Sequence, residues 1–431
     1  MGILSSMYTG VTGVQANGEA LGVISDNIAN ANTIGFKTSR AEFADVVAKS
    51  LKGILGGNQI GRGTKLASTS QIFSQGSVNQ TEKSTDLAIS GDGFFVLDGP
   101  EGRAFTRNGS FNFNKDGELI NSDGLIVKGF KATEDGSKIT TQLDSIKLEK
   151  SIIDAKRTEN VEMSMNLDIR EAVPPLAFDP AKPNDTSSYS TGMTVYDSAG
   201  NAHNLTLYFS KIGDNQWKWN AMAKGDEVVG GTKDMGVVGS SGTLQFTVDG
   251  KLQSQTTESN SFNFNKGALP DQKLNFKFGD DIMSGGTGLK GSTQYGSNSD
   301  IYKHSQDGYT AGTVGGLSFN DDGVLAAFYT NGVTKNLAQI AIAKFENNEG
   351  LFKAGNNVFK ESRNSGQPNI GAPALAGRGK VFSKSVEAST TDIASEFVNL
   401  IQLQRSFQAS SRTMSTSDEL MQEVLNMKRN G

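Results

Sequence analysis

The side chains best suited to chemistry are few in this chain. There is no cysteine, which excludes thiol nucleophiles, thiolate metal sites and disulfides. The two histidines, His203 and His304, stand far apart in sequence, and neither sits in a catalytic or ligand motif. A zinc site would then need an unusual number of carboxylates. An exposed or structural role is expected for both histidines. Asn112-Phe-Asn114-Lys-Asp116-Gly117, with Asp123 in the twelfth position, has the oxygen spacing of an EF-hand calcium loop. However, alternating Phe111 and Phe113 precede it where a helix should stand, and the twelfth residue is Asp rather than Glu. A plain hairpin is expected there. Gly91-Asp-Gly93 lacks the third glycine of a dinucleotide loop, and neither a phosphate loop nor a nucleophile elbow occurs. Trp217 and Trp219 alternate with polar residues, as a ligand platform on a sheet face would, but a half-buried strand gives the same pattern. Asn108, Asn184 and Asn204 begin glycosylation triplets of the kind that arise by chance. These residues point to no catalytic, cofactor-binding or metal site.

The elements that would carry a non-catalytic role are clearer. At 431 residues the chain is long enough for several domains. Lys+Arg 41 against Asp+Glu 46 leaves no basic excess for nucleic acid, and no polybasic run suggests a membrane surface. No apolar stretch approaches the roughly 18 residues of a membrane span. No Lys or Arg precedes Lys37, so the charged start of a secretory signal is missing. Glycine is abundant at 51 residues while proline is scarce at 8, which implies many tight turns and mostly β structure.

Both ends read as helix. Leu4, Met7, Val11, Val14, Leu21 and Ile28 follow steps of three and four with Gly18 and Ser25 in register, an apolar seam of near-seven repeat. Gly10, Gly13, Gly18 and Gly22 weaken that helix by up to ~1 kcal/mol each, so it should be stable only against a partner. At the other end Val386, Ile393, Leu400, Phe407, Met414 and Met421 recur every seventh residue. Phe397 and Leu425 mark a companion seam interrupted by Gln404, Ser411 and Asp418, and Ile401, Leu420 and Val424 widen the stripe. Neither Gly nor Pro falls between 393 and 429, so one long helix is expected.

The middle is punctuated by Asp-Gly and Asn-Gly turns, and F-x-x-D-G-x-L appears at Phe113–Leu119, Phe246–Leu252 and Phe319–Leu325. Each is expected to be a strand ending on a core Phe and a return strand starting on a core Leu. Met193–Tyr196, His203–Phe209 and Gln216–Ala221 form further strand candidates. Loop-like composition at 171–190 and 284–300 brackets much of an inserted domain. The fold expected is α+β, mainly β: paired coiled-coil-like terminal helices with two β-rich domains between them, the outer inserted into the inner. The expected divisions are 1–24 with 393–431 (helical, inner tube), 25–70 with 376–392 (connecting), 71–147 with 304–375 (inner β) and 148–303 (outer β).

The ends also carry specific motifs. Ser25-Asp-Asn27-Ile-Ala-Asn30-Ala-Asn32-Thr-Ile-Gly35-Phe36-Lys37 resembles the N-terminal signature of the bacterial flagellar rod, hook and hook-junction proteins. Asp86–Val96 and Phe105-Thr-Arg107-Asn108-Gly109-Ser-Phe111 resemble the core motifs that follow. Glu396-Phe397-Val-Asn-Leu400-Ile-Gln-Leu-Gln404-Arg405-Ser-Phe407 resembles the C-terminal helix, continuing through Asp418-Glu419-Leu420 to Arg429. Thr194–Phe209 and Leu337–Leu351 are similar to stretches of the hook members, and the chain's length favours hook over the shorter rod proteins. Residues 49–58 look like extra length relative to the simplest members, expected to add contacts between subunits.

The resemblance implies a structural subunit that polymerises with copies of itself into a flexible curved tube, a universal joint transmitting torque between rod and filament. It implies export without a cleaved signal through the flagellar type III apparatus, and a place outside the cell between basal body and filament. It also implies contacts with the distal rod, hook cap and hook-filament junction proteins. Alternatives are a distal rod component, or a secreted β-rich binding protein using Trp217 and Trp219.

Overall fold

The computed structural model describes residues 2–46, 49–50, 59–148, 152–233 and 235–429. Most of the expected extra segment, residues 51–58, therefore lies outside the described residues, as do 430 and 431. One helix opens the described chain, α1 (Gly2–Ala29), and one closes it, α2 (Ile393–Arg429), with strands and two 3₁₀ turns between. The chain divides into two compact units: 1–149 with 316–327 and 334–431, and 150–315 with 328–333.

The turns explain why so polar a sequence makes so much sheet. Asn114 Oδ1 accepts from the Asp116 and Glu118 amides at 2.9 Å each, and Asn121 and Asn320 repeat this contact two and four residues on. Asp197 does the same toward Ala199 and Asn201. The fourth residue of each turn is a glycine at positive φ (Gly117, Gly124, Gly323, Gly200), where a Cβ would be strained. The calcium-like spacing at 112–123 is two of these turns in succession, and their Oδ1 oxygens are already engaged by backbone amides. Phe113 pairs with Leu119 and Phe246 with Leu252 across their turns, and the three leucines Leu119, Leu252 and Leu325 are buried.

In the first unit, Phe94–Gly99 pairs with Gly102–Thr106 and with Ile126–Ala132, which also meets Ile139–Ser145 and Thr334–Ile340. Phe95, Phe111, Val127 and Ile340 fill one side; Phe94, Phe105, Phe345 and Phe359 fill a second cluster of edge-to-face rings. Within the second unit, five antiparallel strands meander in chain order: Tyr189–Tyr196, Ala202–Gly213, Gln216–Ala223, Val237–Phe246 and Leu252–Asn260. Beside them Asn160–Asn166 runs parallel to Asn275–Lys277 and antiparallel to Asp300–Gln306. Trp217 and Trp219 are fully buried in one core with Phe209, Phe276 and Phe278, and the Trp219 ring lies against those of Phe276 and Phe278. They are packing residues rather than an exposed ligand platform. His203 is likewise buried, its Nε2 3.1 Å from Asp197 and its Nδ1 3.1 Å from Glu227, with its ring stacked on Phe264.

Several boundaries differ from those expected. α1 runs past residue 24 to Ala29. Residues 380–387 are not a bare connection: Lys380–Ser383 pairs with Leu87–Ser90, and Ser385–Glu387 pairs with Val78–Gln80. Val386 therefore belongs to a strand and not to the C-terminal heptad. The second unit also extends beyond 303 to 315.

Candidate assembly surface

Small side chains decide how the terminal helices meet. The buried positions of α1 are Gly10, Gly13, Ala16, Ala20, Ile24 and Asn27. A Cβ on Gly10 would stand 3.2 Å from the Ser410 carbonyl oxygen, and one on Gly13 would stand 2.7 Å from Ser410 Oγ. Gly18 is near Phe407, so the helices run antiparallel, with the earlier part of α1 beside the later part of α2. The glycines that weaken α1 as an isolated helix are thus the ones that let the two backbones approach. The expected seam residues Met7, Val11, Val14, Leu21 and Ile28 are half-buried flanks of this contact, and Leu4 is exposed.

On α2 the inward face is Glu396, Leu400, Leu403, Phe407, Ser410, Met414, Ser417 and Met421, a heptad pattern of buried and part-exposed positions. Leu400, Phe407, Met414 and Met421 were expected in it. The companion positions are Leu403, Ser410 and Ser417, one residue before those expected, and Ser410 is the small residue that stands opposite Gly10 and Gly13. Ile393, Phe397, Leu425, Gln404 and Arg405 stand exposed. Ile393, Phe397, Val398 and Ile401 near the start of α2, and Leu420, Val424 and Leu425 near its end, are each 45% or more exposed, two groups of large apolar side chains that the described residues do not cover. Asp392 caps the start of α2, accepting from the Ala394 amide at 2.9 Å and from Ser395 Oγ at 3.1 Å. Hydrogen bonds from the Ser395 amide, the Ser395 hydroxyl and the Ala394 amide hold its carboxyl below the usual aspartate range.

A buried ion cluster joins the helix ends to the first β unit. Glu387 is fully buried, and its Oε1 accepts from Lys37 Nζ at 2.7 Å, the Gly76 amide at 2.8 Å and Gln75 Nε2 at 3.0 Å. Arg107 Nη1 lies 3.3 Å from Oε2, while Nη2 donates to the Gly91 carbonyl at 2.7 Å and the guanidinium sits over Phe94. Lys37 also donates to the Ser74 carbonyl at 2.6 Å. Burial pushes the Lys37 ammonium below the usual lysine range, with Glu387 opposing the shift, and it acts on Arg107 the same way.

The motif residues around Lys37 form the rest of this junction. Asn27 closes the end of α1 by a two-way contact with Ser39, 2.7 Å to its carbonyl and 2.9 Å from its amide. Asn30 accepts from Thr33 and donates back to Asp26. Gly35 takes φ +69°, donates its amide to the Glu387 carbonyl at 2.7 Å, and would drive a Cβ to 2.7 Å from the Arg107 carbonyl carbon. Phe36 is buried under Lys353. Asn32 is exposed. Lys37 and Arg107 stand in recognisable motifs. Glu387 does not, and nothing local marks the residue that holds both cations.

Four family models match successive parts of the chain. The flagella basal body rod protein model covers 7–37, and the flagellar hook protein FlgE/F/G D1 domain covers 88–162. The flagellar basal body protein FlaE D2 domain covers 166–309, and the flagellar basal body rod FlgEFG protein C-terminal model covers 383–427. The chain is 34% identical to the flagellar hook protein FlgE of Borreliella burgdorferi, over 99% of this chain and 100% of the relative. It is 31% identical to that of Escherichia coli, over 97% and 98%. The crystal structure of Helicobacter pylori flagellar hook protein FlgE2 aligns with a TM-score of 0.52 at 16% identity, over 72% of this chain and 100% of that one, a likeness of fold. With matching models at both ends and through the middle, and full-length relatives above 30% identity, the chain belongs to the flagellar hook protein family and is a structural subunit of the hook.

Proposed function

We propose that copies of this chain join through α1 and α2 into the inner wall of a curved tube, and that the tube acts as a universal joint passing torque from rod to filament. The observation that carries this reading is the two groups of large apolar residues, one near each end of α2, left uncovered by the chain's own α1. Both groups gain by burial against neighbouring copies. α1 is stabilised by packing more than by its glycine-rich sequence, so both helices would order as copies add. Their ordering cost would be met during polymerisation. Frayed terminal helices also suit passage of the monomer through the flagellar type III export channel. The subunit would act without catalysis, meeting the distal rod protein at one end of the tube and the hook cap and then the hook-filament junction protein at the other.

Immunogold microscopy of intact cells with antibody to residues 148–303 tests the placement. Label on a short curved segment between cell body and filament supports it. Label seen only after the envelope is opened would assign the chain to the rod instead, and label scattered over the cell surface would contradict both.

A further inference from the structure

The charges of α1 and of the middle of α2 are opposite in sign. α1 carries Glu19 and Asp26 and no cation. From 397 to 417, the middle of α2 carries two charged residues, Arg405 and Arg412, and no acid. The two acids are seven residues apart on α1 and the two arginines seven apart on α2, so each pair lies on one face, about 10.5 Å from end to end. All four side chains are exposed. Among the described residues no ion pair links α1 to α2, and neither arginine has an acidic partner. Arg405 and Arg412 instead line one open groove with Gln408, Thr413 and Thr416. On the acidic side, Glu19 meets Gln15 alone, and Asp26 meets Asn30 and, at 3.5 Å, the exposed Lys353.

We propose that the Arg405–Arg412 face of one copy docks against the Glu19–Asp26 face of α1 in a second copy, and that this attraction fixes which register of the uncovered apolar faces is used. This rests on the proposed assembly through α1 and α2. The occupant is a second copy because the complementary acids stand on the helix that shares the tube wall, with the same spacing as the arginines. Antiparallel packing is kept between copies pointing the same way, so both contacts can form together. Apolar stripes with near-seven repeats can slip by a turn or a heptad at little cost, whereas matched charges penalise the wrong register.

The test uses full-length chains in a sedimentation assay of tube formation at low and high salt. R405E/R412E should raise the concentration needed for assembly by about tenfold or more, as should E19R/D26R. The four-fold swap in one chain should return it to near the original value. Added salt should weaken assembly of the original chain and narrow these differences. Tryptophan fluorescence and far-UV circular dichroism of the monomers should be unchanged. The proposal is overturned if the four-fold swap assembles no better than either half. It is equally overturned if the double variants assemble normally, a result that would leave the apolar-face reading of assembly standing.

Discussion

Replacing Glu387 with Gln changes one oxygen to an amide and leaves the shape of the junction intact. The consequence should be large because of where the residue sits. Glu387 is the sole anion touching Lys37 and Arg107 among the described residues, and all three side chains are 3% exposed or less. Removing one partner of a buried pair costs about 3–5 kcal/mol, because the other charge remains buried and uncompensated. A second route gives a similar figure. If Lys37 escapes by losing its proton, bringing an unperturbed pKa of about 10.4 down to 7 costs about 4.6 kcal/mol at 1.36 kcal/mol per unit. Arg107 cannot take that route and keeps Gly91 and the Phe94 face as its partners. In the variant the folded state holds Lys37 far below its unfolded value, so the unfolded chain binds the extra proton. Stability should therefore rise with pH toward that unfolded value. The assay is urea unfolding of monomer, followed by hydrogen exchange at residues 35–39 and 385–388. With m of about 1–3 kcal/mol/M, the midpoint for these segments should fall by one molar or more. Trp217 and Trp219 both lie in the second unit, so their fluorescence provides a transition expected to move little. A loss below about 1 kcal/mol, with no recovery at higher pH, would refute the claim that this cluster locks the helix ends to the β unit.

Gly13→Leu should separate helix propensity from packing. Leu raises the helix propensity of α1 by nearly 1 kcal/mol, yet its Cβ meets Ser410 Oγ, and overpacking costs about 1–3 kcal/mol. Assembly measured by sedimentation should fall even as the helicity of a peptide spanning α1 rises, while Gly13→Ala, which needs a turn of the Ser410 hydroxyl and a slight shift of the Ser410 Cβ at 3.3 Å, should be milder. Asp392→Ala should lower the helicity of α2 in full-length monomer by circular dichroism. The cap's carboxyl is held low in the folded chain, so its contribution is full above the usual aspartate value and is lost progressively as the pH falls from there through the lower folded value; α2 should begin to fray below about pH 4. Limited proteolysis of monomer should cut within α2 and stop at the strand containing Glu387, because Ser385–Glu387 is paired and its acid buried. Cleavage that runs on into 380–387 at the same rate would show that this strand is not part of the stable unit.

The sequence was most readable where one local rule sufficed. The long C-terminal helix was visible from the absence of Gly and Pro, and the Asp-Gly hairpins from their turn residues, whose glycines take positive φ. Contacts set by smallness were not. Gly10, Gly13 and Ser410 contribute no apolar signal, so a hydrophobic count placed the α2 companion seam on Phe397, Gln404, Ser411 and Asp418 instead of Leu403, Ser410 and Ser417. The same count favoured Leu4 over Ala16 and Ala20. The ion cluster was half visible: the motifs singled out Lys37 and Arg107, but their shared anion stands 350 residues from Lys37. Only the strand pairing of Ser385–Glu387 brings it there. The alternation at Trp217 and Trp219 was ambiguous because an exposed platform and the buried face of a half-buried strand give the same pattern, and here both rings lie in the core.

The most direct test of assembly through the terminal helices is sedimentation and electron microscopy of the purified full-length chain across a range of concentrations, compared with chains lacking 2–24 or 393–429. Tubes should form above a threshold concentration from the intact chain and from neither deletion, with the tryptophan fluorescence of all three alike. Tubes of the same diameter and symmetry from either deletion would contradict the account.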